Sequence, residues 1–181
     1  MLVKSYVALL RAVNVSGQNK VAMAELRAHL SRAGYQDVTT YVQSGNVVLN
    51  AAPIAEPKLV GALEREIRRG FGLTVTVLVR TKDQLREIRS ANPFVKRGTA
   101  TGSLYVTFLA TKPTPAQVKE LATKTPGTDE AIVRGREILL SCPDGYGRTK
   151  LNNAFFERQL GVKATTRNWK TVTKLLELAS R

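Results

Sequence analysis

The sequence predicts an α+β protein of two successive halves, each of βαββαβ order, with helices packed on one face of an antiparallel sheet. Three observations predict it. Residues 1–81 alternate β-favouring runs with helically spaced apolar positions in that order. The same order recurs over 103–181, as a repeat of architecture and not of sequence. The composition, 43% hydrophobic and 23% charged over 181 residues, is that of a globular chain able to bury a core without a metal or disulfide staple.

Residues 5–13 (SYVALLRAV) form a compact β-favouring run that turns polar at NVSGQNK. Over 22–33, Met23, Leu26 and Leu30 recur at helical spacing, and Gly34 stops the helix. VTTYV and NVVLN are β-rich runs separated by Gln43, Ser44 and Gly45, the pattern of a hairpin with a short turn. A helix over 58–70 places Val60, Leu63 and Ile67 on one face, and a strand follows at 74–80. In the split βαβ, or ferredoxin-like, arrangement the first and second strands run the same way. The loop 14–20 and the hairpin turn 43–46 therefore meet at one edge of the sheet.

A linking helix near 83–90 and the breaker Asn92-Pro93 lead to the second half. There the pattern predicts a strand at 103–110, a helix at 115–124, a hairpin around Gly135 and a helix over 149–160 closed by Gly161. A short strand at 162–164 is followed by a helix from about 166, with Trp169, Val172, Leu176 and Ala179 on one stripe. The boundaries expected are a first subdomain 1–81, a linking helix and loop 82–102, and a second subdomain 103–181 that includes the C-terminal helix.

Net charge is +14, from 28 Lys and Arg against 14 Asp and Glu. It is not a tail effect, since residues 1–80 carry 10 basic and 5 acidic side chains and residues 81–181 carry 18 and 9. Such a field attracts polyanions, and it also serves plain solubility. The lone Cys142 excludes an internal disulfide, the N-terminal run lacks a secretory cleavage site, and no run approaches a membrane span. The expected setting is the cytoplasm, with no membrane association.

Two polar constellations could carry chemistry. The first joins Arg11, Asn14, Ser16, Gly17, Gln18, Asn19 and Lys20 with Gln43, Ser44, Gly45 and Asn46. Arg and Lys bind phosphate or carboxylate, the amides and hydroxyl add hydrogen bonds, and the two glycines permit close backbone approach. A helix start just past Lys20 adds positive polarity. The structural alternative is that Asn, Ser and Gly are simply turn residues.

In the second, Gly147-Arg148-Thr149-Lys150 and Thr165-Thr166-Arg167-Asn168-Trp169 each open a helix. Basic residues at a helix start oppose its dipole unless an anion is present. Alternatively Thr149 and Thr166 are N-caps, Trp169 is core, and Arg167 and Asn168 are solvated.

The strings YVALLRAVNVSGQNKVAMAELR, TYVQSGNVV and GRTKLNN…ATTRNWKTVTKLLEL together resemble the bacterial family catalogued as domain of unknown function 1697. The resemblance implies a small intracellular protein of two ferredoxin-related parts without an established activity. On its pattern the site residues are Arg11, Asn14, Gly17 and Lys20, then Ser44, Gly45 and Asn46, then Lys150, Thr166, Arg167, Asn168 and Trp169. Ser16 stands where the family shows glycine and Ala22 where proline is common.

The rest of the catalytic inventory is thin. His29 is the only histidine and lies beside an apolar stripe, Cys142 reads as an inert thiol, and Glu64 and Glu66 read as solvated. No Cys/His spacing suits a metal, and no cofactor is expected. Three functions stay open. One is an anion- or phosphate-binding module for a nucleotide or a nucleic-acid backbone. Another is an enzyme acting on a phosphorylated or carboxylated small molecule. The third is a structural or interaction module without a ligand. Base stacking of the RNA-recognition kind is disfavoured, because the central strands offer only Tyr41.

Overall fold

A computed structural model describes residues 3–15, 17, 19–124 and 127–181. It forms two compact units, residues 1–87 with 174–181, and residues 88–173. The last eight residues thus group with the first unit, whereas the sequence assigns the whole C-terminal helix to the second.

The first unit runs β1 (Lys4–Leu10), α1 (Met23–Arg32), β2 (Gln36–Tyr41), β3 (Asn46–Ala51), α2 (Glu56–Phe71), β4 (Val77–Thr81) and α3 (Lys82–Ala91). Its sheet has the order β2-β3-β1-β4 with antiparallel neighbours, which is the ferredoxin-like topology. Tyr6, Ala8 and Leu10 on one face of β1 pack with Leu26 and Leu30 of α1 and with Leu59, Leu63 and Ile67 of α2. The period-2 alternation of the strand and the 3.6-residue period of the helices thus meet in one core.

After α4 (Pro93–Lys96) and a 3-10 turn at Thr101–Ser103, the second unit runs β5 (Leu104–Leu109), α5 (Pro115–Lys124), β6 (Glu130–Arg134), β7 (Glu137–Ser141), α6 (Asn153–Leu160) and β8 (Ala164–Asn168), into α7 (Trp169–Leu178). Its sheet order, β6-β7-β5-β8, repeats the first. The repeat extends to single residues. Tyr6, Val7 and Leu10 pair with Thr81, Arg80 and Val77, just as Tyr105, Val106 and Leu109 pair with Asn168, Arg167 and Ala164. Thr81 and Asn168 each cap the helix that leaves the sheet, accepting from the N–H of Gln84 and of Thr171.

A carboxylate recurs in the same way. Glu64 of α2 accepts from the N–H of Val77 at 3.0 Å, and Glu157 of α6 from that of Ala164 at 2.9 Å, each at the first residue of the closing strand. Glu64 is therefore half-buried and engaged, not solvated as its helix pattern suggests. Because the exchange strands a strand-end N–H, Glu64→Ala is expected to lower stability by about 1–3 kcal/mol, read in a urea melt. An unchanged midpoint would show that water serves Val77 equally well.

Among the boundaries that differ from the sequence expectation, three have an identifiable local cause. The helix predicted from 149 begins at Asn153, because the side chain of Asn152 caps it by accepting from the Phe155 N–H. The last strand reaches Asn168 because Thr165 to Asn168 pair with β5, and α7 starts only at Trp169. Asn92-Pro93 ends α3 at Ala91, as expected of a breaker, but also starts a helix, since Asn92 caps α4 and Pro93 takes its first position.

Candidate functional site

The edge predicted for the first unit forms. Asn14 holds it together, donating from Nδ2 to the carbonyls of Val21 at 2.9 Å and Gln43 at 2.8 Å while its Oδ1 accepts from the Val21 N–H. One amide thus ties the β1–α1 loop to the β2–β3 turn. The Leu10 N–H donates to the carbonyl of Gly45 at 2.8 Å, and Asn19 Nδ2 reaches back to Ala12 O. Ser16 and Gln18 lie outside the described residues.

The backbone here is unusual. Ala12, Asn14, Asn19 and Val42 all have positive φ, alongside Gly17 and Gly45. For a β-branched residue such as Val42 (φ 49°) this conformation is costly, and it persists only because the loops are held from outside. Gly45 has no alternative. At φ +76° a Cβ would stand 2.7 Å from Leu10 Cβ.

The predicted residues divide by role. Asn46 is fully buried and donates to Tyr41 O and Ser44 Oγ, so Asn46 and Ser44 shape the turn. Asn14 and Gly45 join the two loops. Arg11, half-exposed, and Lys20, exposed, carry the positive charge of this edge, with Gly17 in the loop between them. Next to Lys20, Ala22 takes the N-cap position of α1 without a side-chain cap, and Glu25 is the acidic residue of its first turn.

In the second unit the predicted residues do not converge. Lys150 is exposed and lines a shallow groove of about 340 Å³ with Asp129, Asp144, Arg148 and Thr149. Thr149 is not a helix cap. It donates to Asp129 Oδ2 at 2.5 Å and accepts from the Leu151 N–H. Arg148 and Lys150 precede α6 by several residues, so no cation opposes a dipole there.

Thr166 and Arg167 are neighbours on a strand and face opposite sides of the sheet. Thr166 donates to Asn153 Oδ1 and so accepts from Thr107 at 2.7 Å. Arg167 is buried, not solvated, and donates to Thr165 Oγ1 and Thr166 O. Burial lowers its pKa to about 10, with the field of Tyr146 acting the other way, so it remains a cation at neutral pH. Asn168 caps α7 and Trp169 is core.

Beside this strand, the Tyr146 hydroxyl is buried without a well-formed hydrogen bond among the described residues, and burial raises its pKa while Thr166 and the Asn153 backbone act the other way. The Cys142 thiol is wholly buried and likewise raised by burial, which fits an inert role.

His29 is engaged across two helices, its Nε2 lying 3.0 Å from Glu66 Oε2 while Arg69 donates to the same oxygen at 2.5 Å. Glu66 is thus half-buried and not simply solvated. The His29 ring lies where a Cβ of residue 70 would sit, which makes Gly70 a packing requirement. Among the described residues no group of three or more His, Cys, Asp or Glu could hold a metal ion. No helix of the described residues is long and apolar enough to cross a membrane.

Comparisons with known proteins follow the fold. A family model described as "Protein of unknown function (DUF1697)" matches residues 3–139. Among solved structures the chain is similar to the conserved bacterial protein SP0830 from Streptococcus pneumoniae, at 22% identity and a TM-score of 0.77 over 98% of this chain and 99% of that one. At that identity the likeness concerns the fold. No curated protein matches.

Proposed function

The chain belongs to the DUF1697 family, whose description assigns no function, and we propose from its own geometry that it is a binding module for phosphate-type anions at the β1–α1 loop and β2–β3 turn of the first unit. One observation carries this reading. The Asn14 amide joins the two loops and fixes the chain that bears Arg11 and Lys20 beside a helix start that no side chain caps. The two cations supply charge, the first turn of α1 supplies N–H groups with positive polarity, and Gly17 leaves the loop open to close approach. The +14 net charge brings anions to this edge. A bacterial, cytoplasmic setting is part of the proposal, supported by the single buried Cys142 and the bacterial structural neighbour.

The test pairs a ligand titration with a thermal melt. The double variant Arg11→Ala/Lys20→Ala is expected to lose inorganic phosphate and nucleotide binding by tenfold or more (about 1.4 kcal/mol) while keeping a cooperative melt, since Lys20 is exposed and Arg11 half-exposed. Lost stability in a parent that binds no anion would overturn the reading.

A second reading has its own observation. Val15 and Val42, 55% and 49% exposed, stand on the same two loops and are among the few large apolar side chains left in solvent. This favours a protein-interaction edge. An enzyme acting on a phosphorylated or carboxylated small molecule would use the same clamp, and it would also need a proton-transfer group near it, for which the first turn of α1 offers the Glu25 carboxylate.

A further inference from the structure

The repeat makes the corresponding edge of the second unit identifiable residue by residue. Where the Leu10 N–H donates to Gly45 O in the first unit, the Leu109 N–H donates to Arg136 O in the second, at 2.8 Å in both. Where the Arg11 N–H donates to Thr76 O, the Ala110 N–H donates to Lys163 O. The turn Arg134-Gly135-Arg136, the start of β8 at Lys163 and the β5–α5 loop with Lys112 therefore share one end of the sheet. Arg134, Lys163 and Lys112 are exposed and Arg136 is half-exposed.

The carboxylates at this end are Glu137, on the first residue of β7, and Glu157, which accepts from the Ala164 N–H. The opposite end is mixed. There Asp129, Glu130 and Asp144 stand among Lys96, Arg97, Arg148, Lys150 and Lys170, and Arg97 is ion-paired to Glu130.

We propose that the Arg134-Gly135-Arg136 end binds the phosphodiester backbone of single-stranded nucleic acid without reading its sequence. The cations follow the strand order β6-β7-β5-β8, and adjacent strands lie about 5 Å apart, so they form a row and not a single cradle. A row suits a polymer carrying a charge every few ångströms better than one phosphate group. The α5 start is no rival anion site, because Thr114 and Gln117 cap it reciprocally. A bilayer surface fits less well, since the exposed large apolar residues, Val3, Val15, Val42, Ile54 and Val95, all lie elsewhere and none anchors this end. The site is separate from Arg11 and Lys20 and stands whether or not that clamp binds phosphate.

The experiment is fluorescence anisotropy with a labelled oligothymidylate of roughly 20 nucleotides, read across a salt series. Arg134→Glu/Arg136→Glu is compared with the charge-matched Arg148→Glu/Lys150→Glu at the mixed end. The first pair is expected to weaken binding at least about tenfold at low salt and to flatten the slope of log affinity against log salt by about 1.4, near 0.7 for each lost phosphate contact. The second pair is expected to leave the slope unchanged. Equal losses from both pairs would mean that net charge alone attracts the strand, and would overturn the site. So would an absence of binding by the parent, or tighter and equally Arg134-dependent binding to phosphatidylserine vesicles. Lys163→Glu repeats the test should the turn variant fold poorly.

Discussion

Deleting residues 165–181 is expected to abolish cooperative folding of the second unit. The deletion strips β5 of its β8 partners, from Phe108↔Thr165 to Tyr105↔Asn168, and so leaves a row of backbone groups unpaired along a central strand. It also removes the buried side chains Trp169 and Val172 from this unit, and Leu175 and Leu176 from the first. Loss of a single buried Leu or Trp typically costs about 2–5 kcal/mol, and a whole domain is stable by only about 5–15 kcal/mol. The product should show weak near-ultraviolet circular dichroism and no sigmoidal urea transition. A truncated chain that melts like the parent would contradict the placement of β8 within the sheet.

Gly45→Ala should be the most damaging single exchange at the first edge. The residue sits at φ +76°, where an L side chain is strained, and its Cβ would meet Leu10 Cβ at 2.7 Å and Val13 Cβ at 3.4 Å. Relief would require moving β1 away from the turn, which breaks the Leu10 N–H bond to Gly45 O. The conformational and steric costs together predict about 2–4 kcal/mol of destabilisation. Gly17→Ala is the internal control. It has a similar φ of +76° but nothing within 4 Å of the added Cβ, so only the conformational part, about 1–2 kcal/mol, applies. Equal effects at the two positions in a chemical melt would mean that Leu10 yields freely.

Much of the fold was legible because its elements obey local rules. The helix α5 spans Pro115–Lys124, as its pattern predicts, and Gly34 and Gly161 lie just past helix ends. The adjacency of the 14–20 loop and the 43–46 turn followed from topology alone, and the Asn14 to Gln43 bond realises it. What was not legible depended on distant partners. Thr149 looked like a cap until Asp129, twenty residues away in sequence, took its hydroxyl. Thr165 to Asn168 looked like the start of a helix, and pairing with β5 holds them in a strand.

Within the candidate site, residue type misled where burial decides. Asn46 reads as a ligand-facing amide and is instead fully buried, while Arg167 reads as a solvated cation and is enclosed. The positive φ of Ala12 and Val42 leaves no sequence signal, because neither residue type favours it.

The clamp at Arg11 and Lys20 is tested most directly by titrating inorganic phosphate into isotope-labelled protein and following backbone amide shifts by NMR. Saturable shifts confined to residues 11–25 and 42–46 are expected, lost in Arg11→Ala/Lys20→Ala. Shifts that never saturate, or that map elsewhere, would contradict the assignment of this edge as an anion site.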